Sequence, residues 1–299
     1  MEKGSQDFPR YVKRLGDFST PWKKVFHTVE NFPGPPTSDL QPPTSDRRAS
    51  RAPVLMGILN LTPDSFSDGG RFLDPGAAEE QALKLEADGA QILDVGAEST
   101  RPGHELVSAE EELRRLLPVL DRLADKLKIP VSVDTSKAAV ARAAFDHGAA
   151  ILNDVAALSR PGMAEFARSG DFPVILMHGV AHALPEDDAH PAETVAAWLA
   201  ARIAELGLAR DRLAVDPGIG FGTTRPQDAA ILDNLAPLVA LGYPVLIGLS
   251  RKRIVRHLHP DADLDEASAQ MAFRAWQNGA LLLRLHEMRP FRHRFASHP

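Results

Sequence analysis

The sequence predicts an α/β protein, a parallel eight-stranded (β/α)8 TIM barrel with an N-terminal extension and a shortened or missing last helix. Three observations lead there. From Pro53 onward, short apolar runs alternate with longer stretches that carry Ala and Leu at helical spacing. The alternation repeats over about 245 residues, which is the size and rhythm of such a barrel. No Gly-x-Gly-x-x-Gly follows an early strand, which weighs against a doubly wound open sheet.

In chain order, residues 1–50 stand apart from the rest. Basic and aromatic residues (Arg10, Tyr11, Lys13, Arg14, Trp22, Lys23, Lys24, Phe26) give way to a Pro-rich stretch in which Pro35-Pro-Thr-Ser-Asp39 recurs as Pro42-Pro-Thr-Ser-Asp46. Such a composition forms no core and reads as a partly disordered arm and linker. Acidic residues are frequent enough there to argue against a nucleic-acid patch. The barrel is expected over 51–299, with strands at 54–59, 91–95, 130–133, 150–153, 173–177, 213–216, 244–248 and 281–285. Helical spacing marks 76–89, 107–127, 137–147, 160–169, 191–206, 227–241 and 265–279.

The composition narrows the function classes. A chain of 299 residues that is 44% hydrophobic buries a full core. A net charge of −6 gives no global attraction to nucleic acid or to an anionic membrane. With no cysteine, disulfides, thiolate nucleophiles and Cys-based metal sites are excluded. No apolar run reaches the roughly 18–20 residues of a membrane span. The N-terminus shows neither a signal core nor a transit pattern, so a cytoplasmic location is expected.

In a barrel of this kind, catalytic groups sit where the strands finish. Here those positions hold Asn60, Asp94 with Glu98, Asp134, Asn153, Met177 with His178, Asp216, Ser250-Arg251-Lys252, and Arg284 with His286. Any one of them could cap a strand or start a helix. Together they would crowd unpaired polar groups into one mouth, and a ligand site accounts for that better. Asp134, Asn153, Asp216 and Lys252 match the edge of a flat heterocycle with ring nitrogens, an amino group and an oxo group. Asn60, Thr100, Arg101, Arg284 and His286 suit a diphosphate or its magnesium complex. Zinc ligation lacks suitably spaced histidines. Ser67 and Ser250 have no histidine at a spacing that signals a triad, and there is no Gly-x-Ser-x-Gly elbow. Departure of a diphosphate needs only positive charge and metal, so dissociative transfer of a carbon group fits this inventory.

Seven motifs carry a family resemblance: Met56-Gly-Ile-Leu-Asn-Leu-Thr-Pro-Asp-Ser-Phe-Ser-Asp-Gly-Gly70, Asp94-Val-Gly-Ala-Glu-Ser-Thr-Arg-Pro-Gly103, Val131-Ser-Val-Asp-Thr135, Ile151-Leu-Asn-Asp-Val155, Asp216-Pro-Gly-Ile-Gly-Phe-Gly222, Ser250-Arg-Lys252 and Arg284-Leu-His286. Over about residues 53–288 the chain resembles dihydropteroate synthase. The resemblance implies a transferase of folate synthesis that joins (7,8-dihydropterin-6-yl)methyl diphosphate to 4-aminobenzoate, releasing diphosphate. It also implies sulfonamide binding, because those drugs mimic 4-aminobenzoate.

Carried over residue by residue, the resemblance implies that Asp134, Asn153, Asp216 and Lys252 hold the pterin, with Met177 beside it. Asn60 would touch Mg2+, while Thr100, Arg101, Arg284 and His286 would hold the diphosphate. Phe66 and Pro102 would flank the aminobenzoate ring, and its carboxylate would sit near the helix start after Lys252. Lys252, Asp134, Arg284 and His286 are the expected catalytic set. Two other readings keep the pocket: a pterin-binding paralogue without synthase activity, and a pterin-dependent methyltransferase. The latter is not expected to keep Phe66, Pro102 and Ser-Arg-Lys together.

Three departures from the family pattern stand out. Ala97 replaces the second Gly of Gly-Gly-Glu-Ser, and Phe221-Gly-Thr-Thr224 replaces Phe-Gly-Lys-Thr. After His286, Pro290 and a run rich in Arg and His stand where the family continues into a long final helix. A missing eighth helix would expose apolar wall, and part of 7–30, with Phe8, Tyr11, Leu15, Trp22 and Phe26, is the expected cover. A homodimer is a weaker implication, because the altered end belongs to the family's interface region.

Overall fold

The computed structural model describes residues 52–62, 74–98 and 107–297. The arm at 1–50 and its expected packing against the barrel lie outside the described residues, as do Phe66, Thr100, Arg101 and Pro102.

Eight parallel strands form one sheet: β1 (Val54–Asn60), β2 (Ile92–Gly96), β3 (Val131–Asp134), β4 (Ile151–Asp154), β5 (Val174–Met177), β6 (Leu213–Asp216), β7 (Leu246–Ile247) and β8 (Leu282–Leu285). Around the sheet they run β6-β5-β4-β3-β2-β1-β8-β7, and a bridge between Val215 and Val245 joins the two ends. The barrel is therefore nearly closed, as the sequence predicts. The helices are α1 (Pro75–Ala87), α2 (Ala109–Leu123), α3 (Ala138–Asp146), α4 (Met163–Arg168), α5 (Pro191–Leu206), α6 (Arg225–Asp233), α7 (Ala236–Ala240), α8 (Arg253–Leu258), α9 (Leu264–Gln277) and α10 (Arg289–Ala296).

One expectation about the helices needs correction, and for the last helix the structure selects the shortened form over the missing one. The stretch 227–241 is not one helix, because Asn234 leaves helical geometry with φ −131° and ψ 77°. Pro237 follows two residues into the next segment, where it lacks an N–H to bond backwards and crowds the residue before it. The eighth helix is short but present. Pro290 occupies the first turn of α10, where a missing N–H costs nothing, so it starts the helix rather than stopping the chain. Phe291 is buried, and Phe295 meets the Trp276 ring edge-on at 5.0 Å, so α10 already covers apolar wall beside α9. Arg289 donates to Asp88 Oδ1 at 2.7 Å and Arg292 to the Asp88 carbonyl at 3.0 Å, fastening α10 to the end of α1.

The strands separate two cores. A large shell lies between strands and helices, while Val54, Met56, Ile92, Ile151, Ile175, Ala214, Leu246, Leu281 and Leu282 form a second, smaller cluster. All but Leu281 of the second set fall on alternate strand positions, which is the period of one pleated face, and so fill the inside of the barrel. The shell needs close approach at Gly57, where a β-carbon would stand 3.2 Å from the Ala90 Cβ and 3.3 Å from the Leu85 Cβ. Gly there lets α1 settle directly on β1.

Candidate active site

Above the floor, the same alternation brings in mostly polar groups. Two residues beyond Ile92 comes Asp94, beyond Ile151 comes Asn153, beyond Ile175 comes Met177, beyond Ala214 comes Asp216, and beyond Leu282 comes Arg284. Asn60 and Asp134 end β1 and β3 on the same face. Register explains the convergence: Gly96 pairs with both Asn60 and Asp134, Asp134 with Asn153, and Met177 with Asp216. The next residue after Met177 turns the other way. The His178 ring meets Trp198 of α5 edge-on at 5.0 Å, and burial, with His182 adding to it, pushes its pKa down to about 4. It is a neutral packing group outside the mouth.

One guanidinium organises the mouth. Arg284 donates from Nε to Asp94 Oδ2 at 2.6 Å and from Nη2 to Asp134 Oδ2 at 2.9 Å. Asn153 Nδ2 donates to the same Asp94 oxygen at 3.1 Å. The other Asp94 oxygen is buried without a partner among the described residues. Burial works against the Arg284 charge, but Asp94 and Asp134 raise its pKa above the ordinary value. Burial dominates at Asp134, and its pKa rises from 3.8 to about 7, with Arg284 opposing and Asp94, Asp154 and Glu112 adding to the rise. Burial also raises the pKa of Asp216, against the pull of Lys252; its Oδ1 accepts the Gly218 N–H at 2.7 Å.

Lys252 reaches the mouth from the loop before α8. Its Nζ donates to the Ile219 carbonyl at 2.6 Å and stands 4.4 Å from the centre of the Phe221 ring. Burial lowers its pKa from 10.5 to about 8, with Asp216 opposing the fall. The loop that holds it depends on glycine. Gly218 has φ +74°, and a β-carbon there would lie 1.8 Å from the His178 carbonyl oxygen. In the altered Phe-Gly-Thr-Thr run, the Thr223 hydroxyl donates to Asp228 Oδ1 at 2.5 Å, and that oxygen also accepts the Gly220 N–H at 2.8 Å.

His286 contacts groups from two other strand ends. Its Nε2 lies 3.4 Å from Asn60 Nδ2, and its Nδ1 is 3.0 Å from Ser250 Oγ. The sequence reading placed no histidine with Ser250, and the fold corrects it by bringing one from 36 residues away. With the Asn60 amide donating to Nε2, the pair does not act as a nucleophile and its base. Ser250 Oγ also accepts the His286 backbone N–H at 3.2 Å. If Nε2 accepts from Asn60, then Nδ1 carries the proton and donates to the serine, leaving no lone pair there to take a proton from it.

The structure thus brings together Asn60, Asp134, Asn153, Met177, Asp216, Lys252, Arg284 and His286. The sequence places Asp94 at the β2 end of the mouth but gives it no ligand role; in the fold it is the buried carboxylate on which Arg284 and Asn153 converge. The available signal was an ionisable residue in the middle of an otherwise apolar strand, Ile-Leu-Asp-Val-Gly. Among the described residues, no group of three or more His, Asp or Glu side chains could hold a metal, and no helix is long and apolar enough to cross a membrane.

The fold and this mouth define a barrel enzyme whose polar groups ring a slot above an apolar floor, suited to a flat ligand rich in hydrogen-bonding edges. The sequence profile of the family described as Pterin binding enzyme matches residues 56–286. The chain is 39% identical over 243 residues to the dihydropteroate synthase of Bacillus subtilis (strain 168), covering 79% of this chain and 84% of that protein. The structure of Xanthomonas albilineans dihydropteroate synthase with 4-aminobenzoic acid superposes with a TM-score of 0.77 at 42% identity, covering 82% of this chain and 91% of that one. The same enzyme in complex with 7,8-dihydropteroate gives a TM-score of 0.74 at 38% identity, covering 85% and 94%. The chain belongs to the dihydropteroate synthase family of pterin-binding enzymes.

Proposed function

We propose that this mouth carries out the family's transfer: the C–O bond to diphosphate breaks, a C–N bond to the amine of 4-aminobenzoate forms, and the amine loses a proton. The observation that carries the reading is the ring of Asp94, Asp134, Asn153, Asp216 and Lys252 around Arg284, set above an apolar floor. A carboxylate such as Asp216 accepts two N–H groups from the guanidine-like edge of a pterin, as it would from arginine. Lys252, with its pKa near 8, remains mostly cationic at neutral pH and donates to an oxo group. Asp134, with its pKa near 7, is poised between accepting and donating, which suits a ring nitrogen beside it. Met177 packs along the pterin plane.

Asn60, His286 and the outer edge of Arg284, with Thr100 and Arg101, hold the diphosphate. Arg284 is also bound to two carboxylates, so its charge is shared between fixing the pterin pocket and drawing off the leaving group. Asn60 is a neutral oxygen donor of the kind a weak Mg2+ site tolerates when phosphate oxygens supply the rest, and a bound Mg2+ would neutralise charge on the departing diphosphate. Phe66 and Pro102 flank the arylamine ring. We extend the reading to an enzyme of small-molecule substrates acting in the cytoplasm, with a homodimer as the weaker implication of the family resemblance.

The test is diphosphate release by the purified protein with pterin diphosphate and Mg2+, with and without 4-aminobenzoate. Release that depends on 4-aminobenzoate, yields dihydropteroate and is lost in Lys252→Ala is the expected result. Pterin binding without product would instead mean a retained pocket on a protein that has left the reaction.

A further inference from the structure

Beside the mouth, a second cluster of charge links three strand and helix ends. Lys137 immediately precedes α3 and donates from Nζ to Glu98 Oε2 at 2.7 Å and to Glu112 Oε2 at 2.8 Å. Glu98 follows β2, and its other oxygen accepts the Val107 N–H at 2.8 Å, nine residues further on. Glu112 is buried in the first turn of α2. On the same helix Arg115 donates to the Ala97 carbonyl at 3.0 Å. The Lys137 N–H in turn donates to Thr135 Oγ1 at 3.2 Å, directly after Asp134. One ammonium thereby ties the exit of β2, the start of α2 and the turn after β3.

Stability alone is a poor explanation of this clasp. A part-buried ion pair of this kind returns little net free energy once its groups are desolvated, and apolar residues of similar size would pack as well. What it supplies is placement. Glu98 and Val107 are locked to each other and, through Lys137, to the strand that ends in Asp134. Burial opposes the Lys137 charge, but Glu112 and Glu98 raise its pKa above the ordinary value, so the cation persists at any working pH.

We propose that Lys137 is a positioning residue for the transfer step: through Glu98 and Glu112 it sets where the β2 exit and the start of α2 stand relative to Asp134. This rests on the reaction proposed above. The test uses the full chain with Lys137→Met, Lys137→Arg and Glu98→Gln. It reads pterin affinity by calorimetry with 6-hydroxymethylpterin, kcat and KM for 4-aminobenzoate, and exchange of the Val107 amide. Lys137→Met is expected to leave pterin affinity within about threefold while kcat/KM for 4-aminobenzoate falls about tenfold or more, since small misplacements cost that much. The Val107 amide should lose protection in the same variant, and Lys137→Arg should restore both readouts. Glu98→Gln should move them in the same direction and carries the test if Lys137→Met does not fold. Unchanged kinetics and unchanged Val107 exchange would overturn the proposal, as would equal losses of pterin affinity and turnover. A wild type that binds pterin but releases no diphosphate would overturn the reaction and not the clasp, which then stands or falls on the Val107 amide.

Discussion

The lower and upper halves of the barrel interior are built from the same strands and differ sharply in chemistry. Below, Met56, Ile92, Ile151, Ile175, Ala214, Leu246 and Leu282 pack together as an apolar floor. About 6.6 Å higher along five of these strands, one pleat repeat on, stand Asp94, Asn153, Met177, Asp216 and Arg284. The floor answers to packing and stability, while the upper tier gathers charge and hydrogen-bonding groups. The contrast teaches that a two-residue step along a strand is enough to separate the two tasks, because successive inward positions share a face without sharing a layer.

Breaking the upper tier should show the largest effect. Arg284→Met leaves Asp94 and Asp134 without their shared cation, and loss of one partner from a buried pair costs about 3–5 kcal/mol. Urea unfolding should show that loss, and turnover should vanish with it. In the floor, Ile175→Ala should cost about 2–5 kcal/mol by removing buried volume. If the tiers are separable, the pterin affinity of that variant stays within about threefold of wild type by calorimetry.

A smaller effect comes from titration in the upper tier. Asp134 rises from 3.8 to about 7 in the fold, so the native state binds its proton more tightly than the unfolded chain does. Such a group stabilises the fold fully below the unfolded value, and the contribution is lost as pH rises through about 7. The unfolding free energy of wild type relative to Asp134→Asn should therefore fall between about pH 4 and pH 7. A flat difference across that range would mean that Arg284 holds Asp134 ionised throughout.

Much of this was legible in the sequence. Apolar runs of strand length announced all eight strands, and polar residues at their ends announced the mouth, because inward alternation is a local property. What escaped was non-local. Asp94 reads as a polar strand end with no assigned task until Arg284, 190 residues away, is brought against it. Ser250 and His286 meet only because their strand ends are neighbours in the closed barrel. Pro290 is ambiguous by nature, since it stops a helix from within and starts one from the first turn. The segments carrying Phe66, Thr100, Arg101 and Pro102 rest on motif likeness.

The central claim is that the upper tier recognises a pterin edge through Asp216 while the floor does not take part. Calorimetric titration of 6-hydroxymethylpterin into wild type, Asp216→Asn and Ile175→Ala tests it directly. The account predicts a loss of about 100-fold in affinity for Asp216→Asn, the scale of one charged hydrogen-bonded pair, and little change for Ile175→Ala. Equal affinity in Asp216→Asn and wild type would contradict it.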